Sequence, residues 1–145
     1  MLARPPGWVA DFVGIPFRDH GRMDDGVDCW GLVHLVFRRR FRIHLPDHTE
    51  LYQATDQVDM IACAIAAHRE TWRRVSGPFL LDGDVALLRV SGRAAHVGVI
   101  CGFPWFLHAE AGIGAACDRL DGLRWGRRVD SIWRHPSMLT GGDAL

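Results

Sequence analysis

The sequence lacks a net charge, and this balance limits the partners that the protein can attract. Seventeen lysine and arginine residues are matched by seventeen aspartate and glutamate residues, so the formal net charge at pH 7 is zero. Binding to nucleic acid or to an anionic membrane surface generally depends on a basic field, which this composition does not supply. The three arginines at 38 to 40 do not alter the balance. We therefore expect no nucleic-acid partner.

Long apolar runs are missing as well. No stretch approaches the ~18 apolar residues that a membrane-spanning helix needs. The first residues, MLARPPGWVADFVG, place prolines and an aspartate where a secretory signal peptide has an unbroken apolar core. We expect no membrane insertion, and we expect synthesis in the cytosol without a signal peptide.

The cysteines lack the paired spacing of a disulfide framework or a zinc site. No CxxC pair occurs among the four, which are Cys29, Cys63, Cys101 and Cys117. Scattered cysteines in a cytosolic product are usually free thiols. We expect no metal and no cofactor, and we look for a reactive thiol among the four. Internal repeats, low-complexity tracts and long linkers are also absent, so residues 1–145 are predicted to form a single domain.

The strongest periodicity in the chain begins at Cys29. Apolar residues follow the cysteine at steps of three, four, seven and eight, namely Leu32, Val33, Val36 and Phe37. This spacing is typical of the apolar face of an amphipathic helix. Asp28 is a suitable N-cap, because its carboxylate can accept hydrogen bonds from the free N–H groups of the first turn. One or two helical turns are also predicted over 8–13, a loop over 16–28, and a second helix from about Asp56 to Trp72.

The second half of the chain has the composition of strands. Five short segments rich in β-branched and aromatic residues are separated by glycine-containing turns, at 84–90, 95–101, 105–110, 114–120 and 129–135. They predict an antiparallel meander. Helices followed by strands predict an α+β domain, in which the C-terminal sheet packs against the cysteine helix.

The position of Cys29 makes it a candidate nucleophile. The first turn of a helix favours thiolate, and cysteines there have pKa values of about 3.5–7.5 against about 8.5 for a free thiol. The charge of Asp28 opposes ionisation unless its carboxylate is held by the helix N–H groups. Taken alone, however, a cysteine is more often a buried structural thiol, because it is among the most buried residue types.

Two histidines could complete a site with Cys29. His96 and His108 each interrupt an otherwise apolar strand, and they share a face of the sheet only if they are directly opposed or offset by two. Direct opposition centres the turn on Gly102 and requires an odd loop, in which that glycine adopts a left-handed conformation. We predict this odd loop or an equivalent bulge. The other histidines are interpreted as surface or local structure.

The ordered segments GVDCWGLV, GDVALL, AHVGVI and FLHAE resemble the NlpC/P60 cysteine peptidases, which are papain-like enzymes of bacterial cell wall cleavage. The resemblance runs from about Pro16 to Glu110. It implies that Cys29 is the nucleophile, His96 the general base and His108 the third polar residue that orients the base. The substrate implied is the peptidoglycan stem peptide, typically cut between D-glutamate and diaminopimelate.

Two residues near the cysteine refine the resemblance. Phe17 replaces a tyrosine that many members carry ahead of the nucleophile, so the oxyanion would depend on the Cys29 backbone N–H and a second donor that the sequence does not identify. Trp30 follows the cysteine where many secreted members have serine, which is similar to the branch found in phage tails and gene transfer particles. Phe17 and Trp30 are candidates for the substrate groove.

The resemblance implies a cell wall peptidase located on the virion, at a phage-like tail tip or baseplate. Its partners would be the peptidoglycan peptide and a tail hub or fibre protein. Two alternatives stay open. The chain could be a structural tail component that keeps the papain-like fold with little activity, or a papain-like amidase or acyltransferase.

Overall fold

The computed structural model describes residues 3–45 and 72–139. Its helical elements are a 3₁₀ helix at Gly7–Asp11, helix α1 at Cys29–Val36, a π-helical turn at Phe37–Phe41 and a 3₁₀ helix at Pro136–Met138. Its strands are β1 Arg22–Met23, β2 Gly26–Val27, β3 Arg73–Val75, β4 Val85–Val90, β5 Arg93–Ile100, β6 Trp105–Glu110, β7 Gly114–Arg119 and β8 Val129–Arg134. The predicted helix from Asp56 to Trp72 lies outside the described residues except for its last position. The assignment of residues 1–145 to one domain stays a prediction.

The larger sheet has six strands in the order β3-β8-β4-β5-β6-β7, and every pair is antiparallel. All five predicted strands are present, and the α+β class is confirmed. The meander extends only from β4 to β7, because β8 returns to the far side of β4 and short strand β3 adds an edge beyond it. This return is a long-range pairing that the local sequence pattern does not encode. None of the helices within 3–45 and 72–139 is long and apolar enough to span a membrane.

Helix α1 begins directly after Asp28, as predicted from the sequence. The Asp28 Oδ1 atom accepts a hydrogen bond of 2.7 Å from the Gly31 backbone N–H. The same oxygen lies 2.9 Å from Nη1 of Arg22, and Oδ2 accepts the His20 backbone N–H at 2.9 Å. Because the carboxylate is fully buried, these partners replace the water that it loses on folding. The predicted cap is confirmed, and its side chain points inward.

Every residue of α1 is buried, which the amphipathic pattern did not predict. Strands β5 and β6 cover one side of the helix, and the small hairpin of β1 and β2 contacts it as well. That hairpin forms within the segment that the sequence predicted to be loop. His34 and Trp30 are consequently 3% and 6% exposed. Trp30 packs in the core, so the expectation that it lines a groove or meets a partner is not supported by its position.

Gly31 is the point at which the hairpin approaches the helix. A Cβ atom built at this position would lie 1.8 Å from the carbonyl oxygen of Gly21, which is far inside van der Waals contact. The close neighbour is the backbone that leads into the hairpin, rather than the strands that carry the histidines. The glycine therefore lets Arg22, the residue after Gly21, reach the helix cap.

The sheet separates two apolar clusters. One contains α1 and the inward residues of the sheet, including Val97, Val99 and Leu107. The other is built from Ala86, Leu88, Ile100, Phe106, Leu120 and Trp125. Because side chains alternate along a strand, neighbouring residues of β5 serve different clusters. This alternation decides which surroundings each candidate catalytic residue has.

Replacing Gly31 with alanine should destabilise the fold, although alanine is ordinarily preferred in a helix by about 1 kcal/mol. The added methyl group meets backbone rather than a flexible side chain, so we expect a loss of about 1–3 kcal/mol in the free energy of unfolding, measured by urea denaturation. Gly7→Ala is the matched control, because no atom lies within 4 Å of its added Cβ. An unchanged stability in Gly31→Ala would contradict the close approach.

Candidate active site

The β5–β6 hairpin sets the positions of the two candidate histidines. The recorded pairs are Val99 with Leu107 and Ile100 with Phe106, so the pairing is centred on residue 103 and an odd number of residues forms the connection. Gly102 has a φ of +75°, the left-handed conformation predicted for it. The prediction of an odd loop is confirmed.

The prediction that His96 and His108 lie directly opposite each other is wrong, because the pairing is centred on residue 103 instead of Gly102. Extending this pairing by one step places His108 opposite Gly98, which is two residues from His96. The histidines are therefore offset by two, which keeps them on one face of the sheet. His96 Nε2 lies 2.9 Å from His108 Nδ1, which is hydrogen-bond distance. The structure brings His96 and His108 together as the sequence predicted.

The sequence did not predict the third member of this chain of contacts, Asp118. Its Oδ2 atom lies 2.6 Å from Nε2 of His108. In the β6–β7 ladder His108 pairs with Ala116, so Asp118 is again offset by two and on the same face. The signal was present in the sequence, since a turn around Gly112 gives this parity and the Asp118 carboxylate directly follows the apolar segment GAAC.

Aromatic rings enclose the histidine pair. The Trp125 ring stacks on His96 with centroids 5.3 Å apart and an interplanar angle of 17°, while Phe106 stacks on His108 at 4.4 Å. Trp125 is only 3% exposed. The guanidinium of Arg124 lies 4.6 Å from the centre of the Trp125 ring. These contacts hold the imidazole planes and keep water from them.

Enclosure lowers the pKa of both histidines, which favours their neutral forms. Burial lowers the pKa of His96 to about 3, with smaller contributions from His108 and the charge of Arg124. Burial also lowers the pKa of His108, whereas its hydrogen bond to Asp118 and the charge of Glu110 oppose that change. A neutral imidazole carries one N–H and one lone pair, so each ring can both donate and accept.

Cys29 is the first residue of α1 and is 5% exposed. Burial raises the pKa of its thiol to about 12, and the charge of Asp28 adds to the increase. The backbone N–H groups of Val97 and Trp30 and the charge of Arg22 act in the opposite direction, but they are weaker. Loss of water therefore outweighs the help that the helix start gives to the thiolate form of Cys29.

The contacts described for Cys29 reach β5 through the backbone of Val97 rather than through the His96 ring. Val97 follows His96 directly, so the thiol and the histidine chain meet at one point of β5. Phe17 is half-buried and forms an isolated parallel bridge with Val27, two residues before the cysteine. It lies beside the start of α1, as expected for a residue of the loop ahead of the nucleophile.

The polar atoms near Asp118 also form the group best suited to hold a metal ion among the described residues. His108, Glu110 and Asp118 offer ligand atoms within 4.8 Å of one another. Each carboxylate already has a partner, however, since Asp118 contacts His108 and Glu110 contacts Arg124 at 2.5 Å. We interpret the group as a hydrogen-bond network.

Comparison with known proteins identifies similar chains. The model of the NlpC/P60 family matches residues 14–134. The murein DD-endopeptidase MepS/murein LD-carboxypeptidase of Escherichia coli K12 is 29% identical over 125 residues, which are 86% of this chain and 58% of the relative. A probable endopeptidase NlpC homolog of Haemophilus influenzae is 29% identical over 117 residues, 81% of this chain and 54% of the relative. The chain thus spans little more than half the length of these curated relatives.

The fold has similar solved structures. The NlpC/p60 domain of the peptidoglycan hydrolase SagA superposes with a TM-score of 0.59 at 16% identity, covering 86% of this chain and 91% of that one. At this identity the likeness concerns the fold alone. It confirms the predicted papain-like architecture, with a helix packed on a mostly antiparallel sheet.

Alkylation of Cys29 should depend steeply on pH. With a thiol pKa of about 12, the thiolate fraction and the rate with iodoacetamide should rise about tenfold per pH unit from pH 7 to 10. Peptide mass spectrometry resolves Cys29 from the other cysteines, and urea-unfolded protein gives the rate of a free thiol. A rate that is already independent of pH below pH 8 would show a resting thiolate and contradict the burial argument.

Proposed function

We propose that this chain, which belongs to the NlpC/P60 family, is a cysteine endopeptidase that cuts the stem peptide of peptidoglycan. One observation carries the proposal: the Cys29 thiol contacts the backbone of Val97, the residue that directly follows His96 in β5. His96 in turn contacts His108. A cysteine, a base and a group that orients the base are the parts required for covalent acyl transfer. The activities named for these similar proteins, murein endopeptidase and peptidoglycan hydrolase, support the substrate class.

The first step follows from the neutral resting state of the site. As the Cys29 sulphur attacks the scissile carbonyl carbon, its proton passes to His96, and the carbonyl π electrons move to oxygen. Because the thiol pKa is raised and the His96 pKa is lowered, an ion pair is not the resting form, and proton transfer accompanies attack. The Cys29 backbone N–H is the first candidate donor to the oxyanion, and Phe17 has no hydroxyl to add a second.

The second half of the reaction restores the enzyme. The imidazolium of His96 gives its proton to the leaving amine as the carbon–nitrogen bond breaks, which leaves an acyl group on the Cys29 sulphur. His96 then takes a proton from water, the resulting hydroxide equivalent attacks the thioester, and the sulphur leaves as a thiol with that proton. His108 holds the His96 ring throughout by their 2.9 Å contact.

Digestion of purified sacculi tests the activity. Cys29→Ala and His96→Ala should each reduce amine release by about 10³-fold or more, because they remove the nucleophile and its base. Mass spectrometry of the released muropeptides identifies the bond, and we expect cleavage between D-glutamate and diaminopimelate.

Cys101→Ala is the control for this digestion, because it also removes a buried thiol but lies at the β5–β6 connection outside the proposed machinery. It should retain wild-type amine release. Wild-type protein that releases no amines, under conditions where a known murein endopeptidase does, would contradict the proposal. It would favour a structural role, for which the burial of Cys29, 5% exposed, is the supporting observation.

We further propose that the peptidase is mounted on a phage-like tail tip or baseplate, where it would cleave the cell wall and allow DNA delivery. The support is the sequence resemblance around Trp30 to the tail-associated branch. A tagged protein should then co-purify with tail particles through a density gradient, together with a hub or fibre protein. Recovery of the tagged protein only outside particles, in cells that produce them, would contradict this location.

A further inference from the structure

We propose that Asp118 is a positioning residue that determines, through His108, which nitrogen of His96 receives the Cys29 proton. The proposal rests on the proposed function for the reaction itself, but the tautomers that it requires are properties of the free protein. Asp118 extends the expected set of Cys29, His96 and His108 by a fourth member. Two consecutive contacts support this role, one between His96 of β5 and His108 of β6 and one between His108 and Asp118 of β7.

The first step of the inference concerns His108. An ionised carboxylate has no proton to donate, so its contact at 2.6 Å requires Nε2 of His108 to carry the hydrogen. Since His108 is neutral, its Nδ1 atom then has the lone pair. Asp118 thereby fixes one tautomer of a ring that is completely buried and cannot exchange partners with bulk water.

In the second step, the tautomer of His108 fixes the tautomer of His96. Its Nε2 atom faces the lone pair of His108 Nδ1 at 2.9 Å and must therefore carry a hydrogen. The neutral His96 ring is left with its lone pair on Nδ1. That nitrogen is consequently the one that can act as the base, and without Asp118 the two rings could exchange tautomers and place the lone pair of His96 on Nε2 instead.

The charges around the pair favour Asp118 for this role. Glu110 is the other carboxylate nearby, but its Oε1 lies 3.9 Å from His108 Nδ1, the atom already occupied by His96. Glu110 is also paired with Arg124, whose positive charge opposes protonation of both histidines. Asp118 faces the free end of the histidine chain. When His96 gains the Cys29 proton, the positive charge spreads along a hydrogen-bonded path that ends on this carboxylate.

Nitrogen-15 NMR of the histidine rings tests the tautomers directly. In the wild-type protein, both His96 and His108 should show the hydrogen on Nε2. In Asp118→Ala, His108 should lose this single tautomer and His96 should follow it. Asp121→Ala is the matched control, because Asp121 is a carboxylate near the end of β7 that pairs with Arg119 instead of a histidine. It should leave both spectra unchanged.

Kinetics on muropeptides give the second measurement. Asp118→Ala should lower kcat by about 10- to 100-fold, a part of the roughly 10²–10⁴-fold that a positioned base contributes, with KM changed less than about twofold. Added formate should restore part of kcat in Asp118→Ala, because it can supply a carboxylate at the vacated position. It should not stimulate wild type or Asp121→Ala. Asp118→Asn keeps the shape and removes the charge, so it provides a folded variant if the alanine variant does not fold.

The outcomes separate this proposal from the proposed function. Unchanged ring tautomers and kcat in both Asp118 variants would overturn the role of Asp118, even if wild-type protein digests sacculi. A loss of kcat with unchanged tautomers and no effect of formate would also overturn it, because a merely structural defect explains that result. If the wild-type protein is inactive but shows the predicted tautomers, the result would contradict the proposed peptidase activity and still support the assignment of the histidine network.

Discussion

The buried carboxylate of Asp28 is the constraint on which the position of the nucleophile depends. One oxygen caps the first turn of α1 and contacts Arg22, and the other binds the backbone of His20. Two segments of the chain, 20–22 and 28–31, therefore meet at one fully buried carboxylate, which is tolerable only because it has several polar partners. The cap decides where the helix begins, and so it decides that Cys29 lies at its first residue against β5.

The same arrangement explains why the site combines an enclosed nucleophile with an enclosed base. Burial raises the pKa of the Cys29 thiol and lowers that of His96, so both groups are uncharged at rest. Proton transfer then has to be directional, since no preformed ion pair marks the reactive nitrogen. The polar residues that fix ring tautomers consequently matter more here than in a site with a resting thiolate. His108 and Asp118 provide that fixation from the next two strands.

Much of this architecture follows from local patterns in the chain. The helix start at Asp28, the five principal strands and the common face of His96 and His108 all depend on spacing between nearby residues. Local spacing did not reveal that β8 returns to β4, that a hairpin covers the second side of α1, or that Gly31 faces that hairpin. Those features depend on segments that meet only after folding. Trp30 and His34 illustrate the difference, because the helical period placed them off the apolar stripe and tertiary contacts buried them.

The sequence by itself determined the kinds of groups available for chemistry and their order along the chain, because residue type and strand parity are local properties. Only the tertiary structure decided their protonation, since the pKa of Cys29 or His96 depends on how much water its neighbours exclude. It also decided the membership of the site. Asp118 and Trp125 join the histidines because the register of β7 and the path of the chain after it bring them to the same face of the sheet.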